Sequence, residues 1–302
     1  MLETSLTRKL GIKYPIIQAP MAGGPTTPEL VAAVSNAGGL GSIGAGYLAP
    51  EQIRTAIREI RQLTDRPFCV NLFIPEEPGA SDETIAKMNE VLNGYREKLG
   101  IDANPAIPKY SESFEEQARV LLEENVPVFS FTFGIPSSAL LTEMRQQGIV
   151  LVGTATTVDE AVRLESAGVD AIAAQGSEAG GHRGTFLKKA EDSLIGTMAL
   201  VPQIVDQVSI PVIASGGIMD GRGLVASLAL GASAVQMGTA FLACTESGAH
   251  AAFKRKILTE NEDSTEITYA YSGKAARGIR TEFMREMEGY KGKSQRIRYR
   301  MQ

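Results

Sequence analysis

One imidazole stands among small residues in the segment Ala174-Gln175-Gly176-Ser177-Glu178-Ala179-Gly180-Gly181-His182-Arg183-Gly184-Thr185-Phe186. A main chain built of glycine, alanine and serine can fold tightly around a flat ligand while the His182 ring projects from it. An unperturbed imidazole titrates near pH ~6.5, which suits it to remove a proton from carbon beside an electron-withdrawing group. A lone histidine is more often a satisfied structural residue. His250, in Ser247-Gly248-Ala249-His250, is read that way, as structural or exposed. His182 differs because glycines surround it at the end of an apolar run, so it is the candidate catalytic base.

A second chemistry is written in glycine. Ser215-Gly216-Gly217-Ile218 precedes Asp220-Gly221-Arg222, and Gln236-Met237-Gly238-Thr239 follows one unit later. Consecutive glycines after a strand let backbone N–H groups approach a phosphate, and a helix N-terminus behind them adds a favourable dipole. Tight turns alone would also use glycine, but both successive strands open in this way, which favours anion binding. A third signal is Gln18-Ala19-Pro20-Met21-Ala22-Gly23-Gly24, where an apolar run meets small residues able to lie against a planar heterocycle. Asn71, inside Cys69-Val70-Asn71-Leu72-Phe73, must find partners for its amide in a buried strand; a ligand edge or neighbouring backbone would serve.

These residues need elements to hold them. Eight short apolar runs read as strands: Pro15–Met21, Leu40–Gly44, Phe68–Ile74, Val126–Phe133, Ile149–Thr154, Ala171–Gln175, Pro211–Ala214 and Ala234–Phe241. Most are continuously apolar, as strands covered on both faces are, and helical patterns such as Pro28–Ala37, Pro50–Leu63, Ser137–Gln147, Val158–Ala167 and Gly221–Leu230 separate them. Repeated βα units of this number predict an α/β fold, a closed (β/α)8 barrel, with the phosphate loops after the seventh and eighth strands where such barrels keep them. Thr156-Thr157-Val158-Asp159-Glu160 supplies a Thr cap and an acidic first turn for one of the helices.

Two stretches exceed the repeat. An insertion at about 75–125, after the third strand, carries Pro-Glu-Glu-Pro-Gly, an amphipathic segment around Ile85–Leu99, the Pro-containing Asn104–Pro108 and a helix near Phe114–Glu124, and is read as a flap over the site. The chain is therefore divided into a barrel domain, 1–245, and a helical C-terminal extension, 246–302, that ends in a basic solvated run and could belong to a lid.

Composition removes other chemistries. The 302 residues carry a formal charge of −5, with 43% hydrophobic and 22% charged residues, so no electrostatic footprint for nucleic acid is expected. No apolar run is long enough to span a bilayer and the start lacks a signal-peptide pattern, which predicts a cytoplasmic protein with no membrane partner. Cys69 and Cys244 read as reduced thiols, and two histidines with two cysteines leave no metal cluster to expect. Walker, dinucleotide-fingerprint, nucleophile-elbow and zinc-protease motifs are all missing.

Together QAPMAGG, the internal Asn71, AQGSEAGGHRGTF, SGGIMDGR and VQMGTAF resemble the nitronate monooxygenase family, formerly called 2-nitropropane dioxygenases, over residues 14 to 245. Gly180 to Phe186 is the most specific part and resembles the class I members. The resemblance implies a TIM barrel holding FMN noncovalently, with its phosphate on Gly217, Gln236, Met237, Gly238 and Thr239. Asn71, Gln175 and Gly180 would contact the flavin and ribityl portions, and Ala19, Pro20 and Met21 would lie against the ring. His182 would deprotonate a neutral nitroalkane, or orient a nitronate that arrives already ionised. The implied reaction joins a small nitronate or nitroalkane with O2 to give a carbonyl product and nitrite, a detoxifying chemistry. Late tyrosines, of which Tyr271, Tyr290 and Tyr299 are candidates, and a lysine would approach the substrate. The rival resemblance is to a flavin-dependent enoyl-ACP reductase using NAD(P)H, and a third reading is a non-redox phosphate-binding barrel. A homo-oligomer is left open.

Overall fold

Eight parallel strands form one sheet: β1 (Ile16–Gln18), β2 (Gly41–Gly44), β3 (Phe68–Phe73), β4 (Val128–Thr132), β5 (Val150–Ala155), β6 (Ala171–Gln175), β7 (Val212–Ser215) and β8 (Ala234–Met237). The computed structural model describes residues 2–76, 82–103 and 111–290. Neighbours pair in sequence order, and β1 pairs β8 in register Ile17↔Gln236. Ile17 also bridges Leu40 beside β2, where the Leu40 N–H donates to Ile16 O at 3.0 Å and the Gln18 N–H to Leu40 O at 2.9 Å. The sheet thus closes into the expected barrel, and closure removes the edges an open sheet would expose.

Strand parity explains which side chains meet. Val70 and Leu72 of β3, with Phe129 and Phe131 of β4, pack in the large cluster that includes helix residues Ile53, Ile57 and Leu121. Cys69, Val128, Val152, Ala173, Ile213 and Ala234 belong to a separate cluster with Leu6 and Leu10 of the N-terminal helix Ser5–Leu10. Side chains alternate across a strand, so the second set is the barrel interior. Two residues further along, the same inward parity carries Asn71, Ser130, Thr154, Gln175, Ser215 and Gln236. The interior is apolar at the strand starts and polar at their C-terminal ends, which is the mouth where (β/α)8 enzymes place their chemistry.

Some boundaries differ from the sequence pattern. β8 stops at Met237 instead of reaching Phe241, because Thr239–Leu242 is a short helix starting after Gly238. β1 ends at Gln18 rather than Met21; Pro20 has no N–H to give a ladder, and Gly23 and Gly24 turn the chain at positive φ. A helix at Thr197–Val205 was concealed by its internal Pro202.

The chain divides into two compact units, Met1–Pro75 with Glu112–Glu260, and Glu76–Ser111 with Asn261–Gln302. The first is the barrel. In the second, the helix Asp82–Leu99 contributes Met88 and Leu92 to a small apolar cluster with Met287, and Thr265–Thr268 pairs antiparallel with Ala276–Ile279. The C-terminal stretch is thus not helical throughout: β-branched Thr265, Ile267 and Thr268 favour a pleated strand. The Asn104–Pro108 stretch, most of the Pro-Glu-Glu-Pro-Gly run and the basic end with Tyr299 lie outside the described residues, as does the Tyr290 side chain. No described helix is long and apolar enough to cross a membrane.

Glu124 ends the helix Phe114–Glu123 and ties it to Pro50–Leu63 by accepting from Arg54 (3.1 Å), Arg58 (2.9 Å) and Arg61 (3.1 Å). Partial burial pushes its pKa up, but the hydrogen bonds from Arg54 and Arg58 and the charges of Arg58 and Arg61 outweigh this and hold it below the usual value. A depressed carboxyl stabilises the fold above its unfolded pKa of ~4.3 and loses that contribution as pH falls through the folded value. Glu124→Gln will therefore lower Tm at pH 7 by about 2–4 °C, the size a loss of about 1 kcal/mol produces. Melting curves at pH 7 and at pH ~3.5, below that unfolded pKa, check this, since the difference between wild type and variant must shrink in acid.

Candidate active site

At the barrel mouth, Gln175 ends β6 and folds the following loop back over it. Its Nε2 donates to His182 O at 3.0 Å, and its Oε1 accepts from the Gly184 N–H at 2.8 Å. The Arg183 side chain is buried and donates to Gln175 O at 2.6 Å and to Ser193 O. Backbone from His182 O to Gly184 is therefore held by fixed partners while His182 itself is half-buried. A Cβ on Gly184 would sit 3.0 Å from the methyls of Thr132 and Thr154, so the loop presses on the ends of β4 and β5.

His182 meets the edge of Phe133, with ring centroids 6.0 Å apart and planes at 82°. Phe133 continues to Phe73 (5.1 Å) and Phe73 to Tyr47 (5.3 Å), an aromatic wall on the β2–β4 side. Phe133 holds φ 76°, a conformation costly for an aromatic residue, in the turn that leaves β4. The apolar strand pattern concealed this residue; the Phe133-Gly134 dipeptide at the strand end was the available signal.

The glycine segments converge on the opposite side. A Cβ on Gly180 would lie 3.5 Å from Thr239 Oγ1, and one on Gly238 would lie 3.6 Å from Ala19 Cβ and 3.8 Å from Met21 Sδ. One on Gly217, at φ 70°, would meet Glu178 Cβ at 3.3 Å. Loops after β1, β6, β7 and β8 thus approach each other through backbone and small groups. Ala19, Pro20 and Met21 are half-buried there. Met237 turns its side chain into the layer under the helices, which leaves its backbone for the mouth, while its C=O accepts from the Ala19 N–H at 2.9 Å.

Helix ends decide where an anion would sit. The start of Thr197–Val205 is taken by Glu178, whose carboxylate accepts from the Thr197 N–H at 2.9 Å and from Thr197 Oγ1 at 3.0 Å. The start of Gly221–Ala229 is capped by Asp220, which accepts from the Arg222 N–H at 2.9 Å. The dipole expected behind Gly217 is thus already met by a carboxylate. Thr239–Leu242 has no side-chain cap. Of these three helix starts, the one behind Gly238 is the one without a side-chain acceptor.

Asn71 is buried and donates from Nδ2 to Ser130 Oγ at 2.9 Å, and Gln236 Nε2 donates to Ser215 Oγ at 3.4 Å. His250 caps a helix, its Nδ1 accepting from the Ala252 N–H at 3.2 Å to start the helix Ala251–Thr259. Burial pushes the Cys69 thiol up to about 11, so it is not a nucleophile at neutral pH. In the second unit Tyr271 bonds Thr281 Oγ1 at 2.9 Å. Lys274 there pairs with Glu76 at 3.1 Å, and burial lowers its pKa to about 8. Sequence reasoning had not singled out this lysine.

Fold and site define a (β/α)8-barrel enzyme with one imidazole at a glycine-lined mouth. The chain belongs to the nitronate monooxygenase family, whose profile, described as Nitronate monooxygenase, matches residues 3–302. It is a flavin-dependent oxidoreductase. It is 50% identical over 291 residues to a "Probable nitronate monooxygenase" of Staphylococcus saprophyticus, covering 96% of this chain and 82% of that one. A protein of the same description from Staphylococcus aureus is 51% identical with the same coverage. Nitroalkane oxidase from Streptomyces ansochromogenes superposes with a TM-score of 0.87 at 40% identity, over 97% of this chain and 84% of that one. FabK from Thermotoga maritima gives 0.77 at 37% identity, over 98% and 81%.

Proposed function

We propose that this chain binds FMN and oxidises alkyl nitronates, such as propionate 3-nitronate, with O2 to a carbonyl product and nitrite, in the cytoplasm. The observation that carries the proposal is the close approach of the loops after β1, β6, β7 and β8 through glycine and small side chains, at the mouth that also carries the His182 loop. A phosphate ester fits the uncapped Gly238-Thr239 turn and the Gly216-Gly217 backbone, and a planar ring fits the small surface of Ala19, Pro20 and Met21. Gln236 and Met237 would contribute at the phosphate end, and Asn71, Gln175 and Gly180 along the ring and ribityl chain. Bound FMN supplies the two-electron acceptance that no side chain offers.

The protein's own work is binding, orientation and proton transfer. A ring nitrogen of His182 takes the α-carbon proton of a neutral nitroalkane, whose nitro group stabilises the charge left behind. A substrate that arrives as the nitronate has already lost that proton, so His182 then only orients it. Phe133, backed by Phe73, gives the imidazole an apolar neighbour on one edge.

The test is optical. The purified protein should be yellow, and anaerobic propionate 3-nitronate should bleach the flavin where NADPH does not. Bleaching by NADPH alone would favour the enoyl-ACP reductase reading, and a colourless, fully occupied protein would favour a non-redox barrel.

A further inference from the structure

Glu160 is fully buried, with 0% of its surface exposed, and nothing in the proposed chemistry uses it. It is the third residue of the helix Val158–Ser166, and Thr157 Oγ1 accepts from its N–H at 3.3 Å, the ordinary cap that a Thr-x-x-Glu spacing announces. Its carboxylate does more than close that turn. Oε2 accepts from the Thr156 N–H at 2.6 Å and from Thr156 Oγ1 at 2.7 Å. Oε1 accepts from Thr185 Oγ1 at 2.9 Å, from the Phe186 N–H at 2.6 Å and from the Leu187 N–H at 3.0 Å.

Those last three donors lie just beyond His182, Arg183 and Gly184. A carboxylate is costly to bury unless donors meet both oxygens, and here the loop supplies the donors for one of them. On the other side Gln175 grips His182 O and the Gly184 N–H. The backbone that follows the imidazole is therefore clamped at two points, by Gln175 at His182–Gly184 and by Glu160 at Thr185–Leu187, and a Cβ at Gly184 would already press on Thr132 and Thr154.

We infer that Glu160 is a positioning residue that acts through His182: its charge draws Thr185–Leu187 onto the turn after β5 and so sets where the imidazole stands. The inference rests on His182 being the base of the proposed reaction. A neutral amide cannot replace it, because Gln turns an NH2 group toward one of the two sets of donors. Glu160→Gln keeps the shape and breaks one side of the clamp.

The experiment uses the holoenzyme as wild type, Glu160→Gln, His182→Ala and the double variant. For a neutral nitroalkane, Glu160→Gln should lower kcat/KM about ten- to hundredfold, the size of effect that misplacing a catalytic group produces. Turnover of propionate 3-nitronate should fall much less. On the His182→Ala background Glu160→Gln should add nothing for the neutral substrate. The chain has two histidines, so imidazole NMR resolves them. Glu160→Gln should move the His182 resonances and leave those of His250 in place.

Equal losses on both substrates, an undiminished effect without His182, or unmoved His182 resonances would each overturn the inference. Should Glu160→Gln fail to fold, Thr185→Val removes one donor to the same oxygen and is judged by the same readings, with a smaller expected effect. If the wild type acts on neither nitro compound, the reaction assignment fails alone, and the His182 resonances still decide whether Glu160 positions that ring.

Discussion

His182→Ala will lower kcat/KM for a neutral nitroalkane by about 10²–10⁴-fold, the range that general base catalysis supplies, while flavin content stays at the wild-type level. Two features give this its size. His182 is the histidine at the barrel mouth, since His250 is occupied in capping a helix through its Nδ1. The backbone that follows it is held by Gln175 and does not depend on the imidazole for those bonds. Turnover of a pre-formed nitronate should fall less, because that substrate needs no base. Steady-state kinetics on both substrates check the asymmetry, and equal losses would remove His182 from the role of base.

Gly238→Val will weaken FMN binding roughly ten- to hundredfold, corresponding to about 1–3 kcal/mol of overpacking, with little change in the stability of the flavin-free protein. The added Cβ would meet Ala19 Cβ at 3.6 Å and Met21 Sδ at 3.8 Å, ordinary contacts that the fold tolerates. Gly238 has φ −103°, so a β-branched residue is not strained there. The loss falls on the ligand, because the branched side chain occupies the space that bare backbone leaves at the uncapped turn. Titrating apoprotein with FMN, followed by quenching of flavin fluorescence, measures it. An unchanged Kd would move the phosphate away from this turn.

Both predictions depend on features read in different ways. The Gly216-Gly217 and Gly238-Thr239 pairs were visible as composition at the ends of two apolar runs, since glycine at a strand end is a local signal. Which helix start remained available was not visible. Glu178 and Asp220 each occupy one, and Glu178 reaches Thr197 nineteen residues further along the chain. Phe133 was hidden for a related reason: its apolar type suits a strand, and its φ of 76° appears only once the chain leaves β4.

The sequence by itself determined the βα repetition, the eight runs that became strands, the small-residue loop around His182 and the family that these segments resemble. Those follow from short-range facts: apolar continuity, turn residues and caps all act within a few positions. Only the tertiary structure decided that β1 meets β8, that inward parity gathers Asn71, Gln175, Ser215 and Gln236 into one polar mouth, and that Glu160 spends its charge on the His182 loop. Barrel closure and the pairing of a buried carboxylate both depend on groups far apart in the chain, and local propensity carries no information about which distant donors will be brought within 3 Å of it.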